Sequence, residues 1–415
     1  MGQHSVDKAQ AHADIEVVVT GMGASTPLGG DAASTWAAML AGESGASALE
    51  QEWAKDLPVR IAAQLAVDPA EVLPRVEARK LDRCEQLALV AAREAWADAG
   101  RPEVDGERLA VVIGTGTGGA GSLLAQDDVL EQYGARKVSP YVVPMLMANG
   151  PAAWVSMDLG ARGGARTPVS ACSSGAEAIA MALDLIRLGR ADVVVAGGTE
   201  ACVAALPMAG FAQMTALSKR NDEPALASRP FDTERDGFVL GEGAALLVLE
   251  RADRARARGA RAYARVAGAG ITSSADHITA SDADGQSRAI RQALTESGVA
   301  PQDIGFVHAH ATSTPAGDAV EAQVIADVLG RHPVVTATKS MTGHLLGASG
   351  ALGAMVTALA LREGRLPAIR NLDHPDPEIK LDLVAGGVRH GEWQAGLANS
   401  YGFGGHNVSL VFTRV

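Results

Sequence analysis

The chain has 415 residues with 36 Lys or Arg against 48 Asp or Glu, so its formal net charge is −12, which excludes a whole-surface basic footprint for nucleic acid. A hydrophobic content of 47% excludes a largely disordered polymer. Three Cys are too few for a disulfide framework and suit a reducing cytoplasm, and 47 Gly beside 4% aromatic residues leave the packing to small and aliphatic side chains.

In chain order, residues 1–15 are polar, show no apolar signal-peptide region and read as a frayed tail. Strand-like apolar runs follow at 16–20, 109–113, 192–196 and 244–249, interleaved with Ala-rich segments of helical period. Continuous apolar runs suit sheets buried on both faces. Their alternation with helices predicts an α/β layered architecture with helices covering central sheets. The longest uncharged stretch lies between His344 and Arg362. Its glycine-rich first half and marginal length favour a buried helix over 351–361 rather than a membrane span.

One arrangement recurs. A helix at 89–100, a strand at 109–113 and the turn Gly114-Thr-Gly116 match a helix at 289–298, a strand at 304–308 and the turn Ala309-His310-Ala311-Thr312. Each set follows a strand and turn, 17–23 and 265–270. The repeat predicts two related halves about a pseudo-dyad, 15–257 and 258–415, divided in the hydrophilic run 251–259.

Several local signals compete for the chemistry. Gly114-Thr-Gly116-Thr-Gly-Gly119 follows a strand and fits a phosphate-binding turn, but it does not open a first βαβ unit and gives no clear partner strand ending in a ribose-binding acid. Asp232-Thr-Glu234-Arg-Asp236-Gly237 resembles the start of a calcium loop, yet Glu242 falls one residue short of the closing position; with Arg229 and Arg235 beside it, an internal salt-bridged loop fits better. His308 and His310 stand two apart on a predicted strand and so share a face, where His344 could complete a three-His metal site, although no H-x-x-x-H or C-x-x-C spacing supports one.

Cys172 is more informative. Ser170-Ala-Cys172-Ser-Ser-Gly175 leads into a well-patterned helix over 176–187, so the sulfur falls near a helix N-terminus, where the dipole favours thiolate. Cys84 and Cys202 read as buried hydrophobes. A nucleophile needs groups that stabilise charge on what it attacks. Candidates are the His-bearing turns around His310 and His344, Lys339 five residues before His344, and the glycine-lined turn from Asn399 to Asn407.

The blocks Ser170 to Gly175, Arg229 to Gly243, His308 to Asp318, Lys339 to His344 and Asn399 to Asn407, in that order, resemble the β-ketoacyl-[acyl-carrier-protein] synthases, specifically their type II elongating branch. The resemblance spans residues 17–412. It implies the thiolase fold, two αβαβαββ halves in a five-layered α-β-α-β-α sandwich forming one catalytic domain, usually in a homodimer. It implies an acyltransferase without cofactor or metal that condenses a Cys172-bound acyl chain with malonyl-acyl carrier protein in fatty-acid elongation; a type II polyketide or specialised lipid pathway is the alternative. By the same resemblance His310 and His344 hold the malonyl thioester, Lys339 pairs with Glu321 and tunes the two His, and the amides of Cys172 and Phe403 form the oxyanion hole. Phe403 doubles as a gate, and Phe211 lines the acyl pocket.

Departures are small: Ala311 where Gly is common, His308 where Asn is frequent, Tyr401 for a usual Phe, and Thr215 for a frequent Arg on the carrier-protein side. A thiolase would need a second Cys in the C-terminal glycine turn, which this chain lacks. An initiating synthase would carry Asn in place of His344, and a chain-length factor would lack Cys172. An acidic carrier partner would be repelled by a net −12 chain, so docking calls for a local basic patch, for which Arg79, Lys80, Arg83, Arg136 and Lys137 are the candidates.

Overall fold

Eleven strands join in one sheet in the computed structural model, which describes residues 15–415. The expected tail lies, up to residue 14, outside the described residues. In chain order the strands are β1 (Val17–Ser25), β2 (Leu109–Gly114), β3 (Ala165–Arg166), β4 (Val193–Glu200), β5 (Gly243–Arg251), β6 (Arg265–Ser273), β7 (Ile304–His308), β8 (Val334–Thr336), β9 (Asp382–Leu383), β10 (Ala395–Gly402) and β11 (His406–Thr413). Their spatial order is β9-β8-β7-β10-β11-β6-β1-β5-β4-β2-β3.

That order contains one five-strand pattern twice. β1-β5-β4-β2-β3 corresponds to β6-β11-β10-β7-β8, and in each copy the first two pairings are antiparallel and the last two parallel. The copies meet where β1 and β6 pair at Val18 and Arg265. Every residue of β1, β2 and β4 is buried, which explains why these strands read as unbroken apolar runs. β4 extends beyond the expected 192–196 to Glu200 because Gly197 and Gly198 still pair with Leu246 and Ala245 of β5.

The helices that position the site are α1 (Arg83–Asp98), α2 (Ala120–Tyr133), α3 (Gly150–Leu159), α4 (Ser174–Arg187), α5 (Ala205–Gln213), α6 (Ala283–Ser297), α7 (Pro315–Val328), α8 (Lys339–Thr342) and α9 (Ser349–Glu363). α1 and α3 cover the outer face of the first copy, and α6, with α7 packed on it, covers that of the second. α4 and α9 pack against strands of both copies and against each other. The result is the layered α-β-α-β-α sandwich.

α9 is buried all round from Ser349 to Leu361, as its uniformly apolar and small composition requires. Among the described residues no helix is long and apolar enough to cross a membrane. The close crossing of the central layer depends on glycine: a Cβ on Gly175 would lie 2.7 Å from the Gly347 carbonyl oxygen and 3.0 Å from the Ala351 Cβ.

Candidate active site

Cys172 occupies a single 3₁₀ turn (Ala171–Ser173) that runs directly into α4. Ala171 adopts φ 51°, so the chain bends sharply just before the sulfur. The motif's serines hold this bend. Ser174 Oγ accepts the Ser170 N–H at 2.9 Å and donates to the Ala171 carbonyl at 2.7 Å, while Ser173 Oγ donates to the Ser170 carbonyl at 2.8 Å. The Ser170 carbonyl also accepts the Ser173 N–H at 3.2 Å and the Ala171 carbonyl the Ser174 N–H, so each of these carbonyls takes two donors and the turn is doubly held. The second copy closes over the turn through β10: Ser400 Oγ donates to the Cys172 carbonyl at 3.0 Å, and a Cβ on Gly402 would stand 2.4 Å from the Ser170 carbonyl oxygen.

Cys172 is 7% exposed and lines a cavity of about 490 Å³ together with Phe211, His310, Glu321, His344 and Phe403. Burial pushes the thiol up to about 11, against the pull of the Lys339 cation and of the Phe403 and Cys172 backbone amides. The resting thiolate expected from the helix start is therefore corrected to a thiol, because desolvation outweighs what the turn supplies. The same two amides are the expected oxyanion donors, and both are directed at the sulfur.

His310 follows β7, which ends at His308. Because the strand stops at His308, His310 lies outside its alternation and the two do not share a strand face as predicted: His308 bonds Thr338, whereas His310 lines the cavity. Ala311 then takes φ 29° and Ser313 φ 71°. The turn is held from below by Glu321 of α7, which accepts the His310 N–H at 2.8 Å, the Ala311 N–H at 2.7 Å and Asn399 Nδ2 at 3.2 Å. Lys339, at the start of α8, donates to the His310 carbonyl, and its Nζ stands 3.4 Å from His310 Nδ1. The expected Lys339–Glu321 pair is thus indirect: the two charges clamp opposite sides of the His310 backbone rather than touching. Burial lowers Lys339 to about 8, and Glu321 is the largest opposing influence.

His344 follows α8 and precedes α9. Its Nδ1 accepts the Leu346 N–H at 3.3 Å and lies 2.9 Å from Ser349 Oγ. A nitrogen that accepts a backbone N–H carries no proton, so Nε2 bears it. An ammonium facing His310 Nδ1 assigns the same tautomer there. Burial, reinforced by the Lys339 charge, holds both rings well below the ordinary histidine range, so both are neutral Nε2–H donors. The rings meet edge to face with centroids 5.5 Å apart.

The competing signals resolve into internal contacts. The amides of Gly116 and Thr117, in the glycine turn after β2, bind the chain's own Glu200 carboxylate at 2.7 and 3.2 Å, and the Gly347 N–H reaches the same group at 3.0 Å. Asp232 accepts the Asp373 and His374 amides and pairs with Arg229, while Arg235 pairs with Asp376, giving the salt-bridged loop. His308 turns away from the cavity: its Nε2 lies 2.9 Å from Thr338 Oγ1. Among the described residues no group of three His, Cys, Asp or Glu side chains could hold a metal ion.

Phe211, on α5, packs edge-on against Phe238, which in turn packs edge-on against His344. Phe403 is 37% exposed in the turn joining β10 and β11, where Gly404 and Gly405 take φ 87° and 73°. Within the basic group, Arg83 needs correction. Its guanidinium is bound bidentately by Glu242 at 2.9 and 2.8 Å and reaches Asp68 at 3.2 Å, so it supports the fold rather than offering charge. Arg79, Arg136 and Lys137 are exposed, and Lys80 leans over Tyr141 at 5.8 Å, just beyond Lys137. None of the five lines the cavity.

Sequence reasoning missed Ser349 and the Leu346 amide, which fix the His344 tautomer, and gave Asn399 no role. It also passed over Glu200, whose one signal was a lone acid closing an apolar strand. Gln286, a further cavity residue, carried no signal.

Comparison with known proteins then fixes the relationship. The profile of the beta-ketoacyl synthase N-terminal domain matches residues 14–255, and that of the C-terminal domain matches 263–373. This chain belongs to the beta-ketoacyl synthase family. A family relative from Mycobacterium tuberculosis, 3-oxoacyl-[acyl-carrier-protein] synthase 2, is 46% identical over 404 residues, 96% of this chain and 97% of its own. The solved beta-ketoacyl synthase of Burkholderia phymatum superposes with a TM-score of 0.90 at 35% identity, covering 97% of this chain and 100% of its own. A type II polyketide ketosynthase solved with its acyl-carrier protein and bound to a hexaketide gives a TM-score of 0.88 at 30% identity, covering 97% and 99%. The thiolase-fold sandwich and the ketosynthase motifs therefore belong to one family assignment.

Proposed function

We propose that the protein is a 3-oxoacyl-[acyl-carrier-protein] synthase that elongates fatty acyl chains by decarboxylative condensation with malonyl-acyl carrier protein. The observation that carries this reading is one cavity in which a thiol, two neutral Nε2–H histidines and two backbone amides converge. The relatives' names support fatty-acid elongation over the polyketide alternative, to which the carrier-bound ketosynthase structure corresponds.

In this mechanism Cys172 attacks the carbonyl of an acyl-carrier thioester. The new S–C bond forms as the carrier S–C bond breaks, and the thiol proton ends on the departing carrier thiol. Malonyl-carrier protein then occupies the cavity with its thioester oxygen between His310 and His344. As the C–C bond to the carboxyl group breaks, CO₂ leaves and the electron pair becomes an enolate, whose charge the two Nε2–H donors stabilise without cofactor or metal. The enolate carbon attacks the Cys172 acyl carbon, and the amides of Cys172 and Phe403 receive the oxyanion. Collapse expels the Cys172 thiolate, which takes a proton from solvent. Lys339 and Glu321 position His310 from both sides of its backbone, Phe403 gates the thiol, and Phe211 bounds the acyl end.

The two family profiles and the repeated strand order support dividing the chain into halves 15–257, carrying Cys172, and 258–415, carrying both His. A homodimer is the proposed assembly. β3 leaves a sheet edge open, and Leu130, Tyr133, Met157 and Val169 expose apolar side chains in the same stretch of chain. Arg79, Lys80, Arg136 and Lys137 form the proposed carrier-docking patch, and three unpaired Cys suit a cytoplasmic location.

Incubating the protein with an acyl-[acyl-carrier-protein] thioester should give one acyl adduct, mapped to Cys172 by mass spectrometry. Acylation elsewhere, or none, would sink the reading.

A further inference from the structure

Gln286 lies in the first turn of α6, four residues after Asp282, whose carboxylate caps that helix through the Asp284 and Gly285 amides. It lines the same cavity as Cys172, yet the residue is only 2% exposed. Its Oε1 is fully buried without a hydrogen-bond partner, and among the described residues no side-chain or backbone group bonds the other end of its amide. Asn407, which lines the same cavity, is already committed, donating to Ser274 Oγ and to the Gly405 carbonyl at 3.0 Å each. A primary amide can make four hydrogen bonds, and a folded protein rarely buries one that makes none.

Its place in the cavity restricts what could satisfy it. Thr279, Ala280 and Ser281, directly before the helix, line the cavity and are exposed, so this wall borders the opening. Phe211, Phe238 and Leu346 form an apolar wall, and a hydrocarbon chain lying there offers an amide nothing. The part of a carrier-bound thioester that passes the opening is its pantetheine arm, which contains two secondary amides, each with one N–H and one C=O. With its Oε1 fully buried, Gln286 has the Nε2 donor left to meet the arm, which complements either C=O.

We infer that Gln286 binds an amide of the pantetheine arm of the thioester substrate and so selects arm-bearing substrates over simple thioesters. The inference rests on the ketosynthase reading above.

The test compares wild type with the near-isosteric Gln286→Met, using Gln286→Leu as a second variant. Two acyl donors with the same acyl chain are used, hexanoyl-pantetheine and the amide-free S-propyl hexanethioate, and Cys172 acylation is followed by mass spectrometry. The expected result is a ~3- to 10-fold loss of kcat/KM for the pantetheine thioester, the worth of one or two neutral hydrogen bonds, with the S-propyl thioester unchanged. Removing a buried amide without partners should also raise the melting temperature of the ligand-free protein by about 1–4 °C. Equal losses with both thioesters, no loss with either, or a variant that melts lower or fails to fold would overturn the inference, since each makes Gln286 structural or irrelevant. Wild-type protein inert to both thioesters would instead overturn the ketosynthase reading, and the inference with it.

Discussion

Cys172 combines two opposing demands in one residue. It must be a nucleophile, and it must sit in a cavity dry enough for an acyl chain. The structure meets the second at the expense of the first, because burial pushes the thiol up to about 11 despite Lys339 and two backbone amides. Nucleophilicity then has to be generated during attack, as the donors that steady the oxyanion also steady the sulfur's developing charge. Alkylation of Cys172 by iodoacetamide should therefore climb about tenfold per pH unit from pH 7 to 9 without levelling off, as expected while the thiolate fraction is small. A plateau below pH 8 would mean that the helix start had prevailed over burial.

At the level of elements, one contact joins α9, β7 and α8 behind the catalytic cavity. His308 closes β7, and its Nε2 meets Thr338 Oγ1, where Thr338 is the N-cap residue of α8 and precedes Lys339. Room for the His308 ring exists because α9 has Gly353 opposite it: a Cβ there would fall 2.7 Å from Nδ1 and 2.9 Å from Cε1. Gly353→Ala makes the sign of the effect informative. In an unconstrained helix interior Ala is more favourable than Gly by ~1 kcal/mol. Here the added methyl must displace a buried ring, so a destabilisation of about 1–3 kcal/mol is expected by chemical denaturation. Malonyl decarboxylation should suffer more than Cys172 acylation, since the displaced ring holds the start of the Lys339 helix. A stabilised variant would show that His308 does not need that space.

For the whole molecule, buried ionisable groups set how stability depends on pH. Burial raises Glu85 to about 8, and Glu94 and Asp318 to about 7. The folded chain therefore keeps protons that the unfolded chain has released above the ordinary carboxylate range, and stability falls with rising pH until these groups ionise near 7 to 8. His308, His310 and His344 are lowered by burial and act in the opposite sense, costing stability as pH falls below their ordinary 6.5. Between pH 6.5 and 8 the carboxylates dominate, and the growing repulsion of a net −12 chain acts in the same direction. Calorimetry should give a lower melting temperature at pH 8 than at pH 6.5; an equal or higher value would contradict this assignment.

Much of this protein was written in local order along the chain. Apolar runs of strand length, Ala-rich helices and their recurrence pointed to a layered α/β architecture in two related halves, because periodicity is a property of adjacent residues; the five-layered sandwich came from the family resemblance. Ser170 to Gly175, the two His turns and Asn399 to Asn407 pointed to a nucleophile with charge-stabilising turns, and the reaction class came from the resemblance of those ordered blocks to the β-ketoacyl synthases. Only the tertiary structure decided how charge is distributed among them. The Cys172 thiol, the indirect Lys339–Glu321 coupling, the commitment of Arg83 to Glu242 and the departure of His308 from the cavity all depend on groups more than ten residues apart in sequence. The glycine turn after β2 shows the same division. Its pattern fitted amides that approach a phosphate, a reading the chain order argued against, and the fold instead supplied Glu200 from 84 residues downstream as the anion they bind. Desolvation and long-range pairing are set by which surfaces meet, and that information exists only once the two halves have packed around α4 and α9.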